Sequence, residues 1–182
     1  MHVVSERGLA GTTLRHVADH AGVSVGLVQR YFATKADLLH FGFDHVYRRT
    51  HERIAAVPLD PPVRTILVGI AEAILPLDPE RRRESRVWLA FVHASLSDAQ
   101  LARTHQQSAT ELLEGLQAAL AGAQRAGELR AGLDLDAEAA TLMALLDGLT
   151  LSGIAMEDRY PAEVLRELVH DHLDSLVREP AP

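Results

Sequence analysis

The 182-residue chain contains no cysteine. That absence excludes disulfides, thiolate catalysis and cysteine-ligated zinc, and it fits a reducing compartment. No apolar run approaches the roughly 18 residues that cross a bilayer, and no charged-then-apolar signal segment opens the chain. A soluble cytoplasmic protein with no membrane contact is expected. No stretch alternates apolar and polar residues over strand length, and low-complexity segments and solenoid repeats are missing. H-E-x-x-H, G-x-S-x-G and phosphate-cradling glycine loops are missing as well, so no catalytic residue, cofactor or metal site is expected. The formal net charge of -7 argues against an indiscriminate coat for nucleic acid.

The charge is unevenly spread. Residues 1–57 hold seven Lys/Arg against five acids, and the remainder holds 11 basic against 20 acidic residues. Six of the ten histidines also fall in the first segment. The amino-terminal third is therefore the part suited to approach a polyanion.

What fills the chain is helix, and an all-α fold is predicted. Gly8 and Gly11 bracket a short loop. Thr12 or Thr13 caps a short helix to His20, and Ala21, Gly22 and Val23 form a tight turn. Ser24 then caps a second short helix, because its hydroxyl accepts from an otherwise unpaired amide. Thr34 with Asp37 resembles a capping box, predicting a long helix from Lys35 to about Ala56. Pro58, Pro61 and Pro62 interrupt the chain, one of them expected in the first turn of the next helix. Pro76 and Pro79 separate two further helices, with Asp78 as cap. Ser97 or Asp98 begins a long helix that stops at Gly127. Asp136 begins another that reaches about Glu157, and Pro161 opens the last. Leu165, Leu168, Val169, His172, Leu173, Leu176 and Val177 form one apolar stripe on it. The preceding helix, with Leu142, Met143, Leu145, Leu146, Leu149, Leu151 and Ile154, is apolar over so much of its surface that more than one side must be covered.

Two short helices joined by a glycine-containing turn form a helix-turn-helix across about 13–32. Leu14, Val17, Ala18, Ala21, Val23, Val28 and Phe32 fall where the two helices meet each other and the long helix behind; Ala18 and Ala21 are small enough for close approach. The other positions of the second helix face outward and suit a DNA groove. Gln29 can pair with an adenine edge, and Arg30 with guanine or phosphate. Gly26 removes a side chain where backbone and DNA come close. Tyr31, Ser24 and Thr13 offer hydroxyls to phosphate. Lys35, the only lysine, sits where a helix amino terminus adds partial positive charge. Val25 and Leu27 either touch a thymine methyl or fill space.

The stretch GLAGTTLRHVADHAGVSVGLVQRYFATKADLL resembles the DNA-binding domain of the TetR family of transcriptional regulators. It matches at Gly8, Thr12, Thr13, Val17, Ala18, Ala21, Gly22, Val23, Ser24, Gly26, Tyr31, Phe32, Lys35 and Leu38. Gln29 departs from the tyrosine of many relatives. The remainder more loosely resembles the choline-responsive branch, through Trp88-Leu89-Ala90-Phe91, Ala126-Gly127-Glu128-Leu129 and Leu145-Leu146-Asp147-Gly148-Leu149. The resemblance implies a DNA-binding domain over 1–47 and a helical regulatory and dimerisation domain over 48–182. It implies a homodimer on a roughly palindromic double-stranded operator, repressing until an unidentified small-molecule effector binds. The last two helices are expected to form the dimer interface through Leu149, Leu165, Leu168, Val169, His172 and Leu176. Trp88, Phe91, His93 and Met143 are candidates for an effector pocket, with ordinary core as the alternative. A full first helix usually precedes the Gly8 loop in the family, so the natural product is expected to begin upstream of Met1. His16 and His20 lack a third ligand and read as surface residues, and Arg81, Arg82 and Arg83 read as an ion-paired face with Glu80 and Glu84. Two other readings stay open: a TetR-like fold acting through a protein partner without DNA, and, remotely, a helical enzyme.

Overall fold

The computed structural model describes Val3 and residues 11–59 and 62–177. The Gly8 end of the first loop, Pro61 and the expectation of a shortened first helix lie outside the described residues.

Eight helices are described: α1 Leu14–Ala21, α2 Val25–Tyr31, α3 Lys35–Ala55, α4 Val63–Ile74, α5 Pro79–Ser95, α6 Ala99–Arg125, α7 Leu135–Ala155 and α8 Ala162–Asp174. Most of their boundaries follow from local chemistry. Thr13 Oγ1 accepts from the His16 amide at 3.2 Å, and Ser24 Oγ from the Leu27 amide at 3.2 Å. At the start of α3 the Thr34 hydroxyl accepts from the Asp37 amide at 3.1 Å while the Asp37 carboxylate accepts from the Thr34 amide at 2.8 Å. The capping box is thus complete, and such caps each contribute about 1 kcal/mol. Pro62 lies one residue ahead of α4, whereas Pro79 occupies the first turn of α5 behind its cap Asp78. One start differs from expectation: α7 is capped by Asp134, which accepts from the Ala137 amide, and Asp136 instead accepts from the Gln117 side chain.

The main core is shared by α4, α6, α7 and α8, with Leu67, Leu116, Leu120, Leu142, Leu146, Leu165, Val169 and Leu173 all buried in one cluster. Each such side chain contributes about 1.5–3 kcal/mol by leaving water. Gly153 of α7 is part of this packing, since a Cβ there would stand 2.8 Å from Leu165 and 3.0 Å from Pro76. By length and mean hydropathy of 1.3, α7 is apolar enough to cross a membrane. The sequence reading did not register this; here one face of α7 lines the core, with Leu142, Leu146, Leu149 and Gly153 buried.

A second cluster joins the amino-terminal part to the body. Phe43 of α3 stacks on Phe91 of α5 with centroids 3.8 Å apart, beside Leu39 and Leu101. Helix α3 is continuous across residues 47 and 48, so the expected boundary between 1–47 and 48–182 falls inside one continuous helix.

Candidate nucleic-acid interface and internal cavity

The turn between α1 and α2 is built on Gly22, at φ 67. A left-handed residue ends α1, and the Val23 amide closes back on the Ala18 carbonyl at 3.0 Å, a pattern that glycine adopts without steric cost. Ala18 is fully buried. Ala21 and Val23 are exposed, which corrects their assignment to the inner face of this unit.

Helix α2 is held by its inner side alone. Val28 is 6% exposed and Phe32 is half-buried, its ring meeting Phe41 edge-on at 5.3 Å. Gln29, Arg30, Gly26 and Leu27 are exposed, Tyr31 is 74% exposed, and Val25 is half-buried. Thr13, Ser24 and Lys35 also lie at exposed positions around this surface. A Cβ on Gly26 would meet nothing within 4 Å, so no contact inside the protein demands glycine there.

Behind this surface lies a cavity of about 510 Å³ between α3, α4, α5, α6 and α7. Of the four candidate pocket residues, Trp88 and Met143 line it. Phe91 does not: it is 0% exposed, clamped against Phe43 beneath the wall. His93 is exposed, pointing away from the cavity-lining positions of α5. The sequence reading missed several polar lining residues, namely Tyr47, Arg53, Glu84, His105, Asp147 and Thr150.

Three of these, Tyr47, Arg53 and Glu84, are already paired. Glu84 is 6% exposed. It does not pair with the neighbouring arginine run; its two oxygens face Arg49 and Arg53 of α3, each at 3.0 Å. Arg81 binds the Asp78 carboxylate at 2.8 Å and the Glu72 carbonyl, and Arg82 pairs with Glu157. The Asp78 carboxyl is subject to burial that raises its pKa, but the amide and guanidinium of Arg81 bring it below the ordinary value. The Tyr47 hydroxyl donates to Glu111. Burial first, then this acceptor, push the phenol up to about 12, and the same bond holds the Glu111 carboxyl low. Asp147 lies at an exposed position on the rim, where partial shielding from water raises its carboxyl and His105 opposes the shift.

The proposed dimer residues divide sharply. Leu149, Leu165, Val169 and Leu176 are at most 5% exposed within one protomer. They fill its own core and have little surface left for a partner, which corrects their assignment. Leu168 is 38% exposed and His172 is half-buried. Beside them the outer face of α7, through Ala140, Thr141, Ala144, Gly148 and Leu151, is exposed, and Asp147 at its edge toward the cavity is its one charge.

An exposed polar recognition helix carried on a helical body with an apolar cavity defines a ligand-gated DNA-binding regulator. Residues 63–178 match the family described as BetI-type transcriptional repressor, C-terminal, and residues 1–40 match bacterial regulatory proteins, tetR family. The chain is 34% identical to the HTH-type transcriptional regulator BetI of Burkholderia lata, covering 96% of this chain and 88% of that protein. A transcriptional regulator from Rhodococcus sp. Rha1 superposes with a TM-score of 0.88 at 29% identity, covering 100% of this chain and 94% of the other. A regulator from Saccharomonospora viridis solved in complex with choline gives 0.88 at 21% identity, covering 97% and 93%. The chain belongs to the TetR family of transcriptional regulators, with a BetI-type carboxyl-terminal domain. It is accordingly a sequence-specific DNA-binding regulator of a homodimeric, ligand-responsive family.

Proposed function

We propose that two copies of α2, one from each protomer of a homodimer, enter successive major grooves of a roughly palindromic operator. The observation that carries this reading is the sidedness of α2: Val28 is buried while Gln29 and Arg30 are free at the surface. Gln29 and Arg30 read base edges, with Val25 and Leu27 at their flanks. Thr13, Ser24, Tyr31 and Lys35 hold phosphates and set register. Gly26 supports the same reading, because its missing side chain serves no contact within the protein.

The dimer forms through the outer face of α7, centred on Ala144, Gly148 and Leu151, and continues to Leu168 and His172 of α8. Gly148 supports this assignment: glycine inside a helix costs about 1 kcal/mol relative to alanine, and a Cβ there would meet nothing within 4 Å of its own protomer. A partner helix approaching closely would account for it.

Repression is relieved when a small molecule fills the cavity beside α3. That helix runs from the DNA-binding surface to the cavity wall, so a shift of α3 against α5 changes the spacing of the two recognition helices. Coupling of this kind is typically about 1–3 kcal/mol. The Saccharomonospora regulator was solved in complex with choline, which supports a small-molecule ligand for a protein of this fold. A gel shift with the DNA upstream of the protein's own gene tests the reading. A specific complex that Gln29→Ala weakens only on the cognate sequence is expected; a complex indifferent to sequence would remove α2 from base readout.

A further inference from the structure

We propose that the cavity takes a lipophilic protonated amine, whose ammonium N–H groups donate to Asp147 and Thr150 of α7 while its apolar body lies along α4 and α6. The inference rests on reading this cavity as the effector site and adds the chemistry of the occupant.

The body of the ligand follows from the walls. Ile66, Ile70 and Ile74 of α4, Leu112 and Leu116 of α6, and Trp88 face a space of about 510 Å³. That size suits a drug-like apolar molecule, and choline would leave most of it empty.

The head group follows from what the protein leaves unpaired. Arg53 is bound by Glu84, Arg81 by Asp78, and Glu111 by Tyr47. Among the described residues Asp147 has no hydrogen bond or ion pair, and His105 acts on it only at longer range. Thr150 is 4% exposed and its Oγ1 has no partner. Several exposed or half-buried hydroxyls in these helices return to their own backbone, as Thr104 does to Gln100 at 3.2 Å, Ser108 to Thr104 at 3.1 Å and Thr141 to Ala137 at 2.8 Å. Thr150 makes no such bond and lines the cavity. Buried polar groups are paired as a rule, and an exception calls for an occupant.

Asp147 and Thr150 lie three apart, on one side of α7, and Asp147 is the only charged residue from Ala139 to Ala155. An ionised carboxylate only accepts, so the ligand must donate there. A cation gains the most: Asp147 keeps an exposed side at the rim, but its cavity side is partly shielded from water, and a positive partner there favours the charged form. A carboxylate ligand would be repelled. An alcohol could donate without neutralising the charge, and a quaternary ammonium has no N–H to give.

The test uses the full-length dimer and its single tryptophan, Trp88, as the fluorescent reporter. Decylamine, decanol, decanoate and decyltrimethylammonium are titrated below their micelle-forming concentrations. Decylamine should bind about tenfold or more tightly than any of the others, the order expected of one charge-assisted hydrogen bond in a partly buried site. Asp147→Asn should abolish that preference while leaving decanol within about twofold. Thr150→Val, nearly the same shape, should weaken decylamine severalfold and confirm the second acceptor. Equal affinities for amine and alcohol, or a preference that survives Asp147→Asn, would overturn the head-group assignment and leave the cavity as an effector site. Absence of binding by all four probes to folded dimer would overturn both.

Discussion

Replacing Glu84 tests how the DNA-binding half is fastened to the body. Its side chain is only 7% exposed and its two oxygens are each 3.0 Å from an arginine of α3. Removing one partner from a fully buried pair costs about 3–5 kcal/mol, whereas an exposed pair contributes about 0–1 kcal/mol. This site lies between those limits. Arg49 and Arg53 are 37% and 26% exposed, and each keeps other partners after Glu84 is lost: Glu80 at 2.7 Å for Arg49, and the Ala73 carbonyl and Thr50 hydroxyl, each at 2.9 Å, for Arg53. Glu84→Ala should therefore destabilise by about 2 kcal/mol, and Glu84→Gln by about 1 kcal/mol. Urea unfolding at pH 7 and fixed protein concentration reads this directly, since dimer stability depends on concentration. With a slope near 2 kcal/mol/M, the midpoint for Glu84→Ala should fall by about 1 M without a change in slope. Because α3 carries the recognition unit, operator affinity should fall severalfold as well, although Glu84 is remote from α2. A Glu84→Ala protein that matches the wild type within about 0.3 kcal/mol would refute the claim that this carboxylate fastens α3 to α5.

Phe91→Ala should cost about 3–5 kcal/mol in the same unfolding assay, as expected for a fully buried ring stacked on another; a loss under about 1 kcal/mol would place that ring at a collapsible cavity wall instead. Gly148→Arg should leave the protomer folded but weaken dimerisation by about a hundredfold or more in sedimentation equilibrium, through like charges facing across the two-fold; an unaltered dimer would move the interface off this face. Ultraviolet titration should show one of the three tyrosines ionising near pH 12, and Tyr47→Phe should remove that step. A phenol whose folded-state pKa lies above its unfolded value stabilises the fold below about pH 10 and loses that contribution as pH rises toward 12. Tyr47→Phe should thus flatten the alkaline fall in stability, and an identical alkaline profile would show that neither burial nor the Glu111 contact shifts this phenol in solution.

Features set by neighbours in sequence were legible without coordinates. Thr13, Ser24 and the Thr34–Asp37 pair each cap the helix that follows, because capping needs only residues three apart. The outward placement of Gln29 and Arg30 followed from the position of Val28 and Phe32 on the same short helix. What failed depends on contacts across the chain. The apolar stripe of α8 showed that it is covered but not by what, so Leu165 and Val169 were assigned to a partner when α4 and α7 already enclose them. Phe91 and Trp88 lie three apart on α5, yet stacking on Phe43 buries one and leaves the other at the cavity. Glu84 read as part of an ion-paired surface, because nothing local shows that α3 places two arginines above it. Asp147 did leave a signal, a lone acid in an otherwise uncharged helical run, but only the cavity formed by other helices distinguishes a rim carboxylate from any other exposed one.

Fluorescence-anisotropy titration of the wild type and the Gln29→Ala/Arg30→Ala double variant, on cognate and scrambled duplexes at several salt concentrations, bears on the recognition helix most directly. The wild type should prefer the cognate duplex by about a thousandfold or more. The double variant should lose most of that preference while still binding both duplexes weakly, whereas Lys35→Ala should weaken both alike and lower the salt slope by about one unit per site. A double variant that discriminates as well as the wild type would contradict the assignment of base readout to α2.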